Sequence, residues 1–163
     1  MGNSGVKTTK LPHSELTSLI IKCCIEAMNE LGAGFLESVY KNALLIALQQ
    51  QKAATEVEQS FEVYFRGKKV GFYKADLVVE KTVIVELKCC KLLLPEHQAQ
   101  VINYLTATGI PVGLLVNFGN RYLEHKRLHH PSFYPAAAGD PAYPVCSSPI
   151  DHNANAEKKC HDT

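Results

Sequence analysis

The sequence predicts a mixed α/β (α+β) domain in which one four-stranded mixed sheet carries helices on both faces. Two amphipathic helical patterns stand first, the period of the apolar residues then changes to two, and a further helix and strand complete the order ααβββαβ. With 163 residues, 46% hydrophobic and 20% charged, the chain has the size and composition of a single folded domain.

Three segments have helical signals. Apolar residues recur every three or four positions over residues 14–31, which predicts the first helix, and Gly32 is suited to cap it. A similar pattern over residues 36–48 predicts a second helix, although the two stretches are also compatible with one kinked helix. The third helix opens at Pro95, runs to about Thr108 and ends at Gly109.

Four segments have strand signals. Residues 56–65 and 70–79 are rich in aromatic and β-branched residues and flank a turn at residues 66–69. A third strand covers residues 82–89, and residues 111–118 form the last. Apolar residues of the second and third strands face both sides, so we expect these strands to be central and covered by helices.

The ends of the chain differ from this domain, which we place at residues 14–130. Residues 1–13 are polar and are expected to be a flexible N-terminus, and residues 131–163, with five of the eight prolines, a disordered tail. A net charge of +1 excludes binding of polyanions by overall charge. The cysteines have no metal or redox spacing, and no apolar run approaches the roughly 20 residues of a membrane span, which favours a cytoplasmic protein without a membrane partner.

Acidic residues stand in the central strands, where a core would be apolar. A three-residue turn between the second and third strands places Asp76 opposite Glu86, with Lys88 on the same face. Two carboxylates about 5 Å apart repel each other, so either one is protonated or a cation lies between them. Hard oxygen ligands suit Mg²⁺, and Lys88 is placed to orient a water molecule toward a phosphate. A plain surface pattern of charges is the alternative.

Polar residues on the predicted helices can face the same point. Gln100 and Tyr104 are four residues apart on the third helix, and Glu37 and Tyr40 share a face of the second. Their polar tips can reach the strand carboxylates or a substrate phosphate. Taken alone, such a pair is more often found on a protein surface.

Residues 34–40 resemble the signature of the GxxExxY protein family, a branch of the PD-(D/E)XK nuclease superfamily. The resemblance covers roughly residues 14–130 and rests on five motifs in order. The further motifs are Asp76 within residues 73–77, Glu86-Leu87-Lys88, Gln100 with Tyr104, and residues 113–119.

The resemblance implies a restriction-endonuclease-like core and a metal-dependent nuclease that hydrolyses phosphodiester bonds, in DNA rather than RNA. The catalytic residues that it implies are Asp76, Glu86, Lys88, Gln100 and Tyr104, the last two matching a QxxxY element of RecB-like nucleases. The ligands that it implies for Mg²⁺ or Mn²⁺ are Glu37, Asp76, Glu86 and the Leu87 carbonyl. Ala75 stands where the family has a proline, at a position that varies widely.

Two short basic clusters are candidate phosphate contacts: Arg66, Lys68 and Lys69, and further along Lys126 and Arg127. Charge runs of this length are more often solvated surface. A second hypothesis is therefore a non-catalytic nucleic-acid-binding or interaction module that retains the nuclease scaffold, since a fold does not fix an activity. The intact set of two acids and one lysine on the central strands favours the enzyme.

Overall fold

The computed structural model of the protein describes residues 13–133, which form three α-helices and five β-strands. In chain order these are α1 (Ser14–Leu31), α2 (Glu37–Gln50), β1 (Thr55–Phe65), β2 (Lys68–Val79), β3 (Val83–Lys88), α3 (Pro95–Thr108), β4 (Val112–Asn117) and β5 (Glu124–His129), followed by a 3₁₀ turn at Pro131–Phe133. The predictions for the N-terminus and the tail concern residues 1–12 and 134–163, which lie outside the described residues.

The strands form one mixed sheet in the order β1-β2-β3-β4-β5. Only β3 and β4 run parallel, and α3 makes the crossover between them. The predicted four-stranded sheet was wrong in one respect, because β5 adds a fifth strand antiparallel to β4. The sequence of β5 is polar apart from Leu128 and lacks apolar alternation, because an edge strand can pair through its backbone without an apolar face.

Helices cover both faces of the sheet, as predicted. Helices α1 and α2 pack on one face around a core that includes Ile20, Tyr40, Leu44, Leu77 and Val85. Helix α3 packs on the other face, where the core includes Val78, Ile84, Val101, Tyr104 and Leu105. The central strands are therefore apolar on both sides, and a charged residue within them requires a specific reason.

The helix boundaries agree closely with the sequence pattern. Helix α3 spans the predicted residues, and Gly109 ends it in the left-handed conformation with φ 71°. Helices α1 and α2 are separate, because Gly32 and Gly34 between them have φ values of 77° and 105°. The single kinked helix is thereby excluded.

The hairpin of β2 and β3 has the predicted register for as far as the strands pair. Leu77 lies opposite Val85 and Val79 opposite Val83, with three residues in the turn. Backbone pairing ends at Leu77, one residue before the predicted pair of Asp76 and Glu86. Within residues 13–133, no helix is long and apolar enough to cross a membrane.

Candidate active site

The predicted strand residues meet where β2 and β3 stop pairing. The backbone N–H of Leu87 donates to Oδ2 of Asp76 at 2.9 Å, so a side-chain bond replaces the next rung of the ladder. This bond holds the Asp76 carboxylate against the segment that carries Glu86 and Lys88. The two predicted acids are neighbours without forming a regular cross-strand pair.

Glu86 is the buried carboxylate of the site, with a side chain 5% exposed. Its Oε1 accepts a hydrogen bond from Lys88 Nζ at 2.7 Å, whereas its buried Oε2 has no hydrogen-bond partner among residues 13–133. Burial raises the pKa of Glu86 to about 7; the bond from Lys88 opposes this shift, and the charge of Asp76 adds to it. A carboxylate satisfied on one side only is unfavourable unless something binds the other oxygen.

Lys88 remains a cation in this environment. Burial works against its charged form, but the hydrogen bond to Glu86 and the charges of Glu86, Glu37 and Asp76 outweigh it, so the pKa of Lys88 lies above its ordinary value. The side chain is 18% exposed, so it is partly open to solvent while Glu86 holds its ammonium in place.

Glu37 enters the site from the first turn of α2. Burial raises its pKa, the charge of Asp76 raises it further, and Lys88 and Lys41 lower it. Glu37 therefore lies in the field of the strand residues, as the sequence pattern suggested. The first turn of a helix is also a position where a carboxylate is favoured by the exposed backbone N–H groups.

Tyr40 does not present a second polar tip to the carboxylates. Its hydroxyl donates to the carbonyl of Gly32 at 2.5 Å and accepts from the N–H of Phe35 at 3.4 Å, and its ring stacks on Phe118 with centroids 4.5 Å apart. Tyr40 instead ties down the loop that leads into α2, and this fixes where the helix begins and where Glu37 lies.

Gln100 and Tyr104 form a linked pair on α3. The Gln100 side-chain amide donates to the Tyr104 hydroxyl at 2.7 Å, and this hydroxyl donates to the carbonyl of Lys74 on β2 at 3.3 Å. Burial raises the pKa of Tyr104, and the charge of Glu86 adds to the shift. The hydroxyl thus lies within the electrostatic field of Glu86, and Gln100 is hydrogen-bonded to it.

Two residues that the sequence analysis missed belong to the same cluster. Lys41 Nζ lies 2.7 Å from Oε1 of Glu58 and 3.7 Å from Oδ1 of Asp76. Glu58 also pairs with Lys74. The hydrogen bond from Lys41 is the largest cause that lowers the pKa of Glu58 to about 2, and the hydrogen bond from Lys74 is the next. Lys41 follows Glu37 by four residues, so helical spacing could have found it. Nothing in the sequence marks Glu58.

The donor set of the site fits a hard divalent cation. Asp76 and Glu86 offer carboxylate oxygens, and the buried Oε2 of Glu86 lacks another partner among the described residues. Over residues 13–133, no three His, Cys, Asp or Glu side chains form a complete metal-binding group. An ion here would therefore share its coordination with water or substrate oxygens, which is the usual mode for Mg²⁺.

The first basic cluster lies far from these acids. Arg66, Lys68 and Lys69 stand at the tip of the β1–β2 hairpin. Eight residues of strand, roughly 26 Å, separate Lys68 from Asp76. Lys69 is paired with Glu62 at 2.5 Å. Phosphate contact by this tip would require a substrate that extends along the hairpin.

The second basic cluster is divided. Lys126 is exposed on β5, while Nη1 of Arg127 donates to Oγ1 of Thr17 at 2.9 Å. Arg127 thus joins β5 to α1, so that at least part of its role is structural.

A sequence model of the PD-(D/E)XK nuclease superfamily matches residues 14–128, well over half of the chain. The chain therefore belongs to this superfamily. Its mixed sheet with helices on both faces is the restriction-endonuclease-like architecture expected from the sequence. Nucleases of the superfamily generally use divalent metal ions.

Two solved structures match part of the chain. The crystal structure of SSO0001 is 21% identical with a TM-score of 0.48, over 72% of this chain and 59% of that one. The crystal structure of an alkaline exonuclease, LHK-Exo, from Laribacter hongkongensis is 11% identical with a TM-score of 0.43, over 74% of this chain and 72% of that one. The chain thus spans less than two thirds of the length of SSO0001. Curated proteins give no match.

Proposed function

We propose that the protein is a metal-dependent nuclease of the GxxExxY type that hydrolyses phosphodiester bonds in DNA, in preference to RNA. The observation that carries the proposal is the state of Glu86. One oxygen of this buried carboxylate is held by Lys88, and the other has no hydrogen-bond partner among the described residues. A carboxylate of this kind, next to Asp76, suits a divalent cation that binds the free oxygen.

The residues that would hold Mg²⁺ or Mn²⁺ are Asp76 and Glu86, with Glu37 and the Leu87 carbonyl as further candidate oxygens. A divalent ion supplies Lewis-acid stabilisation of the negative charge that develops on the phosphoryl oxygens. The protein contributes the fixed carboxylates, because the N–H of Leu87 orients Asp76 and the Lys88 ammonium orients Glu86.

Lys88 has the role of positioning the nucleophile. An ammonium carries three N–H groups, so Lys88 can hold Glu86 and still donate to a water molecule or to a phosphoryl oxygen. In the reaction the water oxygen forms a bond to phosphorus, one ester P–O bond breaks, and the proton that the water gives up is balanced by the proton that the leaving oxygen takes up. Donation from Nζ to the phosphoryl oxygens is strongest when their charge is greatest, which favours the transition state.

The Gln100–Tyr104 pair bounds the site on the α3 side. The charge of Glu86 acts on the Tyr104 hydroxyl, and the bond to the Lys74 carbonyl fixes this hydroxyl to the strand that carries Asp76. We propose that the remaining N–H of the Gln100 amide, held in place by this hydroxyl, orients the substrate backbone. We further propose that the protein is cytoplasmic and that its nuclease domain covers residues 14–130.

Cleavage assays test this function directly. Purified protein is incubated with single- and double-stranded DNA and RNA and with Mg²⁺ or Mn²⁺, beside Asp76→Asn, Lys88→Met and the control Glu96→Gln, which alters an exposed carboxylate of α3. We expect metal-dependent cleavage of DNA that both site variants lose and the control keeps. Cleavage that survives both site substitutions would contradict the proposed site, and cleavage of RNA alone would contradict the substrate.

A further inference from the structure

Lys41 lies between two carboxylates of different exposure. Its ammonium, on a side chain 14% exposed, makes a full hydrogen bond to Glu58 at 2.7 Å and lies 3.7 Å from Asp76, at the outer limit of an ion pair. Asp76 is 17% exposed and Glu58 is 45% exposed. A small movement of one flexible side chain would therefore decide whether Asp76 has an ammonium as its neighbour.

The backbone of Glu58 has an unusual conformation at this position. Glu58 has φ 51° inside β1, while its neighbours Val57 and Gln59 pair regularly with Leu77 and Ala75. The left-handed conformation is unfavourable for a residue with a side chain, so it persists only where the surroundings hold it. By the register on either side, this position falls opposite Asp76.

We propose that Asp76 and Glu58 share the Lys41 ammonium when no divalent cation is bound, and that Glu58 alone retains it when a cation binds Asp76. The inference rests on the proposed function. Without a cation, Asp76 faces the like charges of Glu37 and Glu86, and a nearby ammonium reduces their repulsion. Once a divalent ion binds Asp76, the ammonium and the ion repel each other, and Glu58 remains as the partner of the ammonium.

The proposal gives the two partners opposite effects on metal affinity. Lys41→Met removes the competing charge, so Mn²⁺ should bind about fivefold more tightly. Glu58→Gln leaves Lys41 with Asp76 as its remaining carboxylate, so Mn²⁺ should bind about fivefold more weakly. In the double variant Glu58→Gln should have little further effect, because no ammonium is left to be retained. A merely structural role for Lys41 predicts the reverse sign for Lys41→Met.

Lys74 provides a matched control. It pairs with Glu58 as Lys41 does, but among the described residues its ammonium forms no ion pair with Asp76. Lys74→Met removes the same charge from the same carboxylate while leaving the contact between Lys41 and Asp76. Its Mn²⁺ affinity should therefore stay within about twofold of the parent protein.

Calorimetric titration of Mn²⁺ into the full chain at low ionic strength measures these affinities, with Asp76→Asn to identify the heat that belongs to the site. Thermal unfolding in EDTA gives a second readout, in which Lys41→Met should lower the midpoint relative to Lys74→Met and excess Mn²⁺ should restore it. Unchanged or weakened binding in Lys41→Met would overturn the inference. Absence of Asp76-dependent heat in the parent protein would instead overturn the metal-dependent function, and this inference with it.

Discussion

The pH dependence of stability in the metal-free protein follows from the burial of Glu86. The perturbation is Glu86→Gln, which replaces the carboxylate by a neutral group of nearly the same shape. Burial raises the pKa of Glu86 from 4.5 to about 7 in the folded chain. Between these two values the folded state binds more protons than the unfolded state, so the free energy of unfolding falls as the pH rises.

The size of this effect follows from the two pKa values. A shift of this size corresponds to about 3 kcal/mol over the whole range, and about 2.5 kcal/mol of it falls between pH 5 and pH 8. The glutamine variant lacks the titrating group and should lose this part of the pH dependence. We therefore compare the unfolding free energy of the variant minus that of the parent protein. This difference should be larger at about pH 8 than at about pH 5.

Urea unfolding in EDTA, followed by circular dichroism because the chain has no Trp, measures this difference. Glu96→Gln, at an exposed carboxylate, serves as the control and should retain the pH dependence of the parent protein. If the parent protein and Glu86→Gln show the same change between the two pH values, Glu86 is not the destabilised carboxylate that the site requires.

Three further predictions concern the elements that hold the site in place. Tyr40→Phe keeps the ring stacking but loses the hydrogen bond to the loop before α2. The free energy of unfolding in urea titrations should therefore fall by about 1 to 2 kcal/mol. An unchanged value would refute the role of the hydroxyl. Gly119→Ala would place a Cβ 2.3 Å from the carbonyl oxygen of Cys90 and should destabilise the protein by about 2 kcal/mol or more. Gly71→Ala is the control, because the added Cβ has no heavy atom within 4 Å. Tyr104→Phe should lower the cleavage rate while the unfolding free energy changes by only about 1 kcal/mol, and full activity would remove the hydroxyl from the proposed site.

Most of the fold could be predicted because local patterns and tertiary packing agree. The apolar stripe of α1, Pro95 and Gly109 at the ends of α3, and the two-residue period of β2 and β3 each match the layer that they bury. Strand β5 was missed because its pairing with β4 depends on the backbone, and its charged sequence resembles a solvated segment.

The site was predictable where it depends on strand and helix periodicity. Asp76, Glu86 and Lys88 come together because the turn after Val79 sets the register of the hairpin. The loss of pairing beyond Leu77 was not predictable, because a side chain replaces a backbone partner there. Glu58 was equally hidden, since its contact with Lys41 depends on a left-handed residue inside a strand.

The most direct test is a crystal structure of the protein soaked with Mn²⁺, in which anomalous scattering locates the ion without reference to activity. We expect one strong peak about 2.1 Å from a carboxylate oxygen of Asp76 and from Oε2 of Glu86, with Lys88 still bonded to Oε1. A peak elsewhere on the surface, or none at the end of β3 while Mn²⁺ is present in excess, would contradict the account.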